Sequence, residues 1–370
     1  MVPDREQGPV SLSGLPSGGL VGRAAESAAV QRTLGRSRLV TITGPPGVGK
    51  TAVGIATAAR LSLGFADGAW LVRLDSLRDG SRLPDTIANV LKLPGGRTGS
   101  RLDALVDDLS DRRLLLVLDT CEHLAGACAE LAIRLLLMPG GTRILATSRQ
   151  SLRVPGGLTV AIGPLPLHDA VTVFGQSAAE AAPGFRVTPE NRAIVAAICR
   201  RLDRLPLAIE FAARELAAGP LERLRSRLEE DYWFLRNSDD VPPRHETLRA
   251  AIGWSYQLCQ PMEQLLWARL SVFTGSFTVG DAQDVCSDKI LPDEVIDAAV
   301  TMLAARSIVQ IEPRSGGRTR FRLPAIVRAY GAAMLPPDDD EWERRHQAWQ
   351  AGHHGHQRET AEDDQGTLTR

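Results

Sequence analysis

Gly44-Pro45-Pro46-Gly47-Val48-Gly49-Lys50-Thr51 is the stretch that decides the fold. It fits the pattern Gly-x-x-x-x-Gly-Lys-Ser/Thr, follows an apolar run at Leu39–Thr43, and opens a helical pattern from Lys50 to Leu63. Glycines let successive backbone N–H groups turn toward phosphate oxygens, and the helix dipole adds positive potential at the same end. In that frame Lys50 reaches the β- and γ-phosphates of a nucleotide, and the Thr51 hydroxyl ligates Mg²⁺. The competing reading is a Gly/Pro-rich turn with a chance lysine. It leaves both the eight-residue match and the strand–loop–helix setting to coincidence. Lysine occurs only at 50, 92 and 289 in this arginine-rich chain, so its presence in the loop carries weight.

Leu114-Leu-Leu-Val-Leu118-Asp119 is a wholly apolar run that delivers a carboxylate to its C-terminal end, where an open α/β sheet places its ligand. Asp119 is therefore the expected second holder of Mg²⁺. Thr120 follows it, where many ATPases of this class carry an acid that orients the attacking water. Glu122 either substitutes for that acid or caps the helix beginning there. Arg143-Ile-Leu-Ala-Thr-Ser-Arg149 is a further strand with a polar end, and Thr147, Ser148 or Arg149 is placed to sense a γ-phosphate.

From Leu20 to about Leu165, short apolar runs alternate with helical patterns, which predicts a parallel α/β sheet. Strands are also expected at Trp70–Leu74 and Thr159–Ile162, and helices at Ala24–Leu34, Leu83–Leu91, Leu102–Leu109 and Cys128–Leu137. Residues 167–235 read as helices broken at Pro183-Gly184 and Gly219-Pro220. A polar link from Asn237 to Pro243 precedes helices near 245–257, 261–270, 279–286 and 293–305. Two short strands around a Gly-rich turn at Ser315–Gly317 then predict a winged helix. The fold class is thus α/β: a P-loop NTPase parallel sheet followed by an all-α helical subdomain and a winged-helix domain. The boundaries expected are a flexible leader at 1–19, a nucleotide-binding domain at 20–165, a helical subdomain at 166–240, a winged helix at 241–335, and a charged tail at 336–370. Disorder is expected over about the last 15 residues.

A chain of 370 residues with a formal charge of −1 does not advertise nucleic acid. Cysteines at 121, 128, 199, 259 and 286 lack both C-x-x-C pairing and histidines at metal spacing, so reduced thiols in the cytoplasm are expected. No apolar stretch approaches the roughly 18 residues of a membrane span.

The ordered motifs resemble the NB-ARC type of STAND ATPase, the nucleotide-binding module of bacterial LuxR-type and SARP-type transcriptional regulators. They run from Leu20-Val-Gly-Arg23 through the phosphate loop, Leu116-Val-Leu-Asp119-Thr-Cys-Glu-His123 and Ile144-Leu-Ala-Thr-Ser-Arg149. They continue with Leu205-Pro206-Leu-Ala-Ile-Glu210, Leu248-Arg-Ala-Ala-Ile-Gly-Trp254-Ser-Tyr256 and Leu270-Ser-Val-Phe-Thr-Gly275, so the resemblance covers about 20–350. It implies Val21, Gly22 and Arg23 near adenine and ribose, and Pro206 pressed against adenine. Arg204 stands where the family's Gly-Leu-Pro-Leu element begins with glycine. Pro324 and Ala325 stand where the winged helix often carries a His or an acid closing the nucleotide site.

The resemblance implies a signalling switch binding ATP or ADP with Mg²⁺, linked to transcription, with slow or no hydrolysis and with a protein partner or self-assembly in the ATP state. An AAA-type motor would call for the missing second acid. DNA binding through the winged helix would use Arg306, Arg314, Arg318, Arg320 and Arg322, yet no separate recognition module is visible, and autonomous DNA binding is not expected. The stretch Trp342-Glu-Arg-Arg-His346-Gln-Ala-Trp349 resembles the first helix of a helical-repeat sensor.

Overall fold

The computed structural model describes residues 10–11, 20–93, 100–236, 247–315, 318–336 and 341–351. The polar link at 237–243, the turn at 316–317 and the last 19 residues lie outside them. Two compact units emerge, Met1–Arg200 with Arg204–Arg225, and Arg201–Asp203 with Ser226–Arg370.

The strands of the first unit are β1 (Val10–Ser11), β2 (Leu39–Thr43), β3 (Ala69–Arg73), β4 (Leu115–Asp119), β5 (Arg143–Thr147) and β6 (Leu158–Ala161). They lie in the order β1-β3-β4-β5-β2-β6. The five from β3 to β6 run parallel, and β1 adds an antiparallel edge that the composition of the leader did not signal. β2 and β4 are buried at all five positions, as an apolar run between two helical layers must be.

Around the sheet are α1 (Ala24–Arg36), α2 (Lys50–Leu61), α3 (Leu83–Val90), α4 (Arg101–Ser110) and α5 (Ala125–Leu137). Leu116, Leu118 and Ile144 share one core with Ile87, Leu109 and Leu131 from α3, α4 and α5. The alternate residues Leu115, Val117 and Leu145 are equally buried, and α2 packs across β2 to β5. Next come α6 (Leu167–Ala181), α7 (Arg192–Arg201), α8 (Pro206–Arg214) and α9 (Leu221–Glu230), with α7 and α9 each crossing the division between units.

The turn from α7 to α8 is strained. Asp203 and Arg204 both adopt left-handed backbone, with φ of 51° and 56°. A side chain costs about 1 kcal/mol or more in that region, so the position favours glycine. Arg204→Gly is expected to stabilise the chain by about 0.5 kcal/mol after the unfolded chain's extra freedom is subtracted. Urea unfolding checks it; a lower midpoint would mean that Arg204 makes contacts outweighing the strain.

The second unit contains α10 (Leu248–Gln257), α11 (Pro261–Leu270), α12 (Val279–Cys286), α13 (Asp293–Ala305), β7 (Gln310–Ser315), β8 (Arg318–Arg322), α14 (Ala325–Ala332) and α15 (341–351). α11 and α12 start at capping boxes, Gln260 with Glu263 and Thr278 with Asp281. β7 and β8 form an antiparallel hairpin, and Phe277 bridges to Phe321 as a third short rung, which makes the wing of this helical unit. Trp267 is fully buried at the centre, donates its indole N–H to the Val327 carbonyl at 2.9 Å, and meets the Tyr256 and Tyr330 rings at 5.4 and 6.0 Å. α15 joins this core: Trp342 is buried under the Arg269 guanidinium at 3.9 Å, and His346 sits edge-on to Phe273 at 4.8 Å. Burial lowers the His346 pKa, which favours the neutral ring.

The start of α14 is capped by a carboxylate distant in sequence. Pro324 offers no side-chain cap to α14, and the Ile326 N–H instead donates to the Asp203 carboxylate at 3.1 Å. No helix among the described residues is long and apolar enough to cross a membrane. All five cysteines are free and buried, and burial pushes Cys199 and Cys286 up to about 12.

Candidate functional site

The carboxyl ends of β2, β4 and β5 lie side by side, and the phosphate loop, Asp119 and Thr147 all emerge from that edge. The loop turns tightly beside the end of β6. A side chain on Gly44 would run into the Ile162 carbonyl, so only glycine allows the chain to pass there. Gly49, with φ of 94°, leads directly into α2 at Lys50. Lys50 Nζ donates to the Gly44 and Pro45 carbonyls at 2.9 and 3.0 Å, so the ammonium is folded over the loop it serves.

Asp119 gathers the other polar groups. It is 3% exposed, and its Oδ1 accepts from the Thr51 hydroxyl at 2.6 Å and the Thr147 hydroxyl at 2.5 Å. Thr147 Oγ1 accepts in turn from the Thr120 N–H at 2.9 Å, and the Cys121 N–H donates to the Thr147 carbonyl at 2.9 Å. These bonds lock β4 to β5 beyond their last ladder pair. Thr120 itself holds a left-handed backbone, φ 68°. The carboxylate side chain sought next to Asp119 is thus replaced by a turn that feeds two backbone N–H groups to Thr147.

Glu122 and Arg149 meet in the same region. Arg149 Nε donates to Glu122 Oε1 at 3.0 Å, with the side chains only 9% and 8% exposed. Glu122 begins a 3-10 turn, Glu122–Leu124, and α5 starts afterwards with Leu124 as its N-cap, so Glu122 is not that helix's cap. The pairing was not visible in the sequence, although opposite charges just past two adjacent strand ends were its available signal.

Arg23 is 3% exposed; its Nη2 donates to the Val48 carbonyl at 2.8 Å and its Nη1 pairs with Glu26 at 2.7 Å. The guanidinium therefore ties the 20–23 segment to the phosphate loop. Gly22 (φ 68°) packs so closely on Asp169, in the first turn of α6, that a side chain would overlap that carboxyl. Val21 lies in the same segment and is partly buried. Pro206 occupies the first position of α8, where a missing N–H costs nothing. Its ring lies 4.0 Å from where a Cβ on Gly49 would stand, and the Leu207 N–H donates to the Gly47 carbonyl at 3.2 Å. Leu207 is a contact that sequence reasoning missed. Val48 is fully buried, and Pro45 and Pro46 are buried beside it.

This donor set fits a Mg²⁺–nucleoside phosphate: a glycine-lined loop, an ammonium, and a hydroxyl already paired with a buried carboxylate. Lys50 and the loop N–H groups would hold phosphate, Thr51 and Asp119 the metal.

A family profile described as a winged helix-turn-helix domain matches residues 260–336. A Mycobacterium tuberculosis protein named as a candidate HTH-type transcriptional regulator is 38% identical over 308 residues, covering 82% of this chain. The chain spans only about a third of that relative's length, 34%. Among solved structures, a Walker-type ATPase of Pyrococcus abyssi aligns over 84% of this chain and 95% of its own, with a TM-score of 0.54 and 14% identity. The ORC2 protein of Aeropyrum pernix aligns over 94% and 98%, with a TM-score of 0.50 and 16% identity. Both establish the fold alone, that of a P-loop ATPase, and the profile match supplies the C-terminal winged helix. An uncharacterized Mycobacterium tuberculosis protein is 35% identical over 322 residues, 85% of this chain and 81% of its own length. The chain belongs to the family of that mycobacterial protein, as a chain of P-loop ATPase fold that carries a winged helix-turn-helix domain.

Proposed function

We propose that the chain is an ATP/ADP-binding switch of the STAND type, of the NB-ARC kind, working in signal transduction linked to transcription. The observation that carries this is the linkage of Thr51, Asp119 and Thr147 through one buried carboxylate oxygen, beside a lysine folded on its loop. The Aeropyrum pernix neighbour was solved as ADPNP and ADP complexes, which agrees with a nucleotide here. α8 supplies the coupling. Pro206 and Leu207 rest on the loop, so a nucleotide that rearranges the loop moves the start of that helix. A protein partner or a second copy would read the ATP-bound state.

Slow hydrolysis follows from the chemistry at 120. With Thr120 in the acid's place and its backbone feeding Thr147, no carboxylate adjoins Asp119 to orient water. The tie to transcription rests on the winged helix-turn-helix match and the name of the longer mycobacterial relative. Direct DNA contact through the wing is the weaker reading. Arg306 is paired with Glu263 at 3.1 Å, and Arg320 is spent on the Ser276 hydroxyl and carbonyl at 2.9 and 2.7 Å.

The test is titration of the purified chain with ADP and ATP in Mg²⁺, followed by a turnover assay. Binding of both with turnover on the order of 10⁻³ s⁻¹, the range of incomplete switch NTPases, is expected. Sustained turnover near 1 s⁻¹ or faster would replace the switch by a motor, and absence of binding would remove both.

A further inference from the structure

β4 and β5 are adjacent and parallel, Leu118 opposite Ala146, so the residues that follow them leave the sheet at one edge. Three residues after Asp119 comes Glu122, and two after Thr147 comes Arg149, and the structure brings these two together at 3.0 Å with both side chains more than nine-tenths buried. Arg149 follows the end of β5, the strand end from which a third phosphate would be sensed. Its Nε is engaged by a carboxylate rather than turned out for a ligand. A guanidinium binds carboxylate and phosphate with the same donors, so the two anions compete for it. A diphosphate has no third phosphate and leaves the pair as it is. A triphosphate that takes up the guanidinium fork draws Arg149 off a buried partner and brings a new negative charge toward the Glu122 carboxylate it uncovers.

We propose that the Glu122–Arg149 pair is a latch that biases the site against the triphosphate, so that Glu122 is a positioning residue acting through Arg149 rather than the acid that orients water. This rests on the nucleotide-binding reading above. In population terms the latch subtracts from ATP affinity only, which sets the resting state toward ADP and makes loss of the pair the signature of the ATP state.

The experiment titrates ADP and the non-hydrolysable analogue ADPNP, each with Mg²⁺, into the full wild-type chain and the Glu122→Gln and Glu122→Asp variants. Glu122→Gln should tighten ADPNP about tenfold while ADP stays within about twofold, a coupling of ordinary size for a two-state site. Glu122→Asp keeps the charge but shortens the reach; it should tighten ADPNP about threefold and also stands in if the neutral variant fails to fold. An unchanged ADPNP-to-ADP ratio in both variants overturns the latch. So does weaker ADPNP binding, which would return Glu122 to a ligand-facing role. Tightening in Glu122→Gln without any in Glu122→Asp would reduce it to plain charge repulsion and also overturns the pairing. If the wild type binds neither nucleotide, the nucleotide reading itself falls; if it binds both and the ratio does not move, only the latch falls.

Discussion

Lys50→Ala leaves the phosphate loop without its ammonium, and nucleotide affinity is expected to fall by about 3 kcal/mol, roughly a hundredfold. The alanine methyl can neither reach the Gly44 and Pro45 carbonyls, where Nζ now lies at 2.9 and 3.0 Å, nor exchange those contacts for phosphate oxygens. Loop geometry should survive, because Gly44 against Ile162 and Arg23 on the Val48 carbonyl hold it independently of Lys50. Gentle purification, denaturation and chromatography of the released nucleotide give the readout. Stoichiometric ADP in the wild type and none in the variant, with unchanged circular dichroism, is the expected pair of results. Full retention in the variant would show that nucleotide is held somewhere other than on this loop.

Trp267→Ala should cost about 4 kcal/mol of stability, the range for deleting a large, fully buried aromatic. The indole is wholly buried, donates to the Val327 carbonyl of α14, and spaces the Tyr256 and Tyr330 rings. Truncation leaves a cavity between α11 and α14 and removes a hydrogen bond that links those helices. A loss of that size is a large share of a domain's usual margin, so the transition of the winged-helix unit should separate to lower urea. A loss of less than about 1 kcal/mol would mean that the neighbouring rings collapse into the space.

What was legible in the sequence was whatever has a period or a fixed spacing. β2 and β5 fall at Leu39–Thr43 and Arg143–Thr147 as read, while β3, β4 and β6 sit one residue earlier or later than expected. Terminal hydrogen bonds, which decide such limits, depend on the neighbouring strand rather than on the residue itself. The Thr51–Asp119 bond was implicit in two motifs, because both residue types serve one metal. The partners of Arg149 and Arg23 were not legible. A guanidinium on a long side chain can reach several anions or carbonyls, and only the packing of Glu122 and Val48 selects among them. Asp203 capping α14 was hidden for a further reason: 123 residues separate the carboxylate from the N–H it accepts. The left-handed backbone at Arg204 was half legible, since the resemblance places a glycine there.

The two-residue strand at the start of the chain bears on how the protein behaves in bulk. Val10 lies opposite Leu71 and Ser11 opposite Trp70, so this short segment occupies part of the hydrogen-bonding edge that β3 would otherwise offer to solvent. An open edge beside a buried, apolar strand is a template on which another chain can add its own strand. Trimming the Pro-, Gly- and Ser-rich leader as dispensable would therefore strip a shield from the sheet, and the cost would fall on solubility at high concentration while the phosphate loop stayed intact.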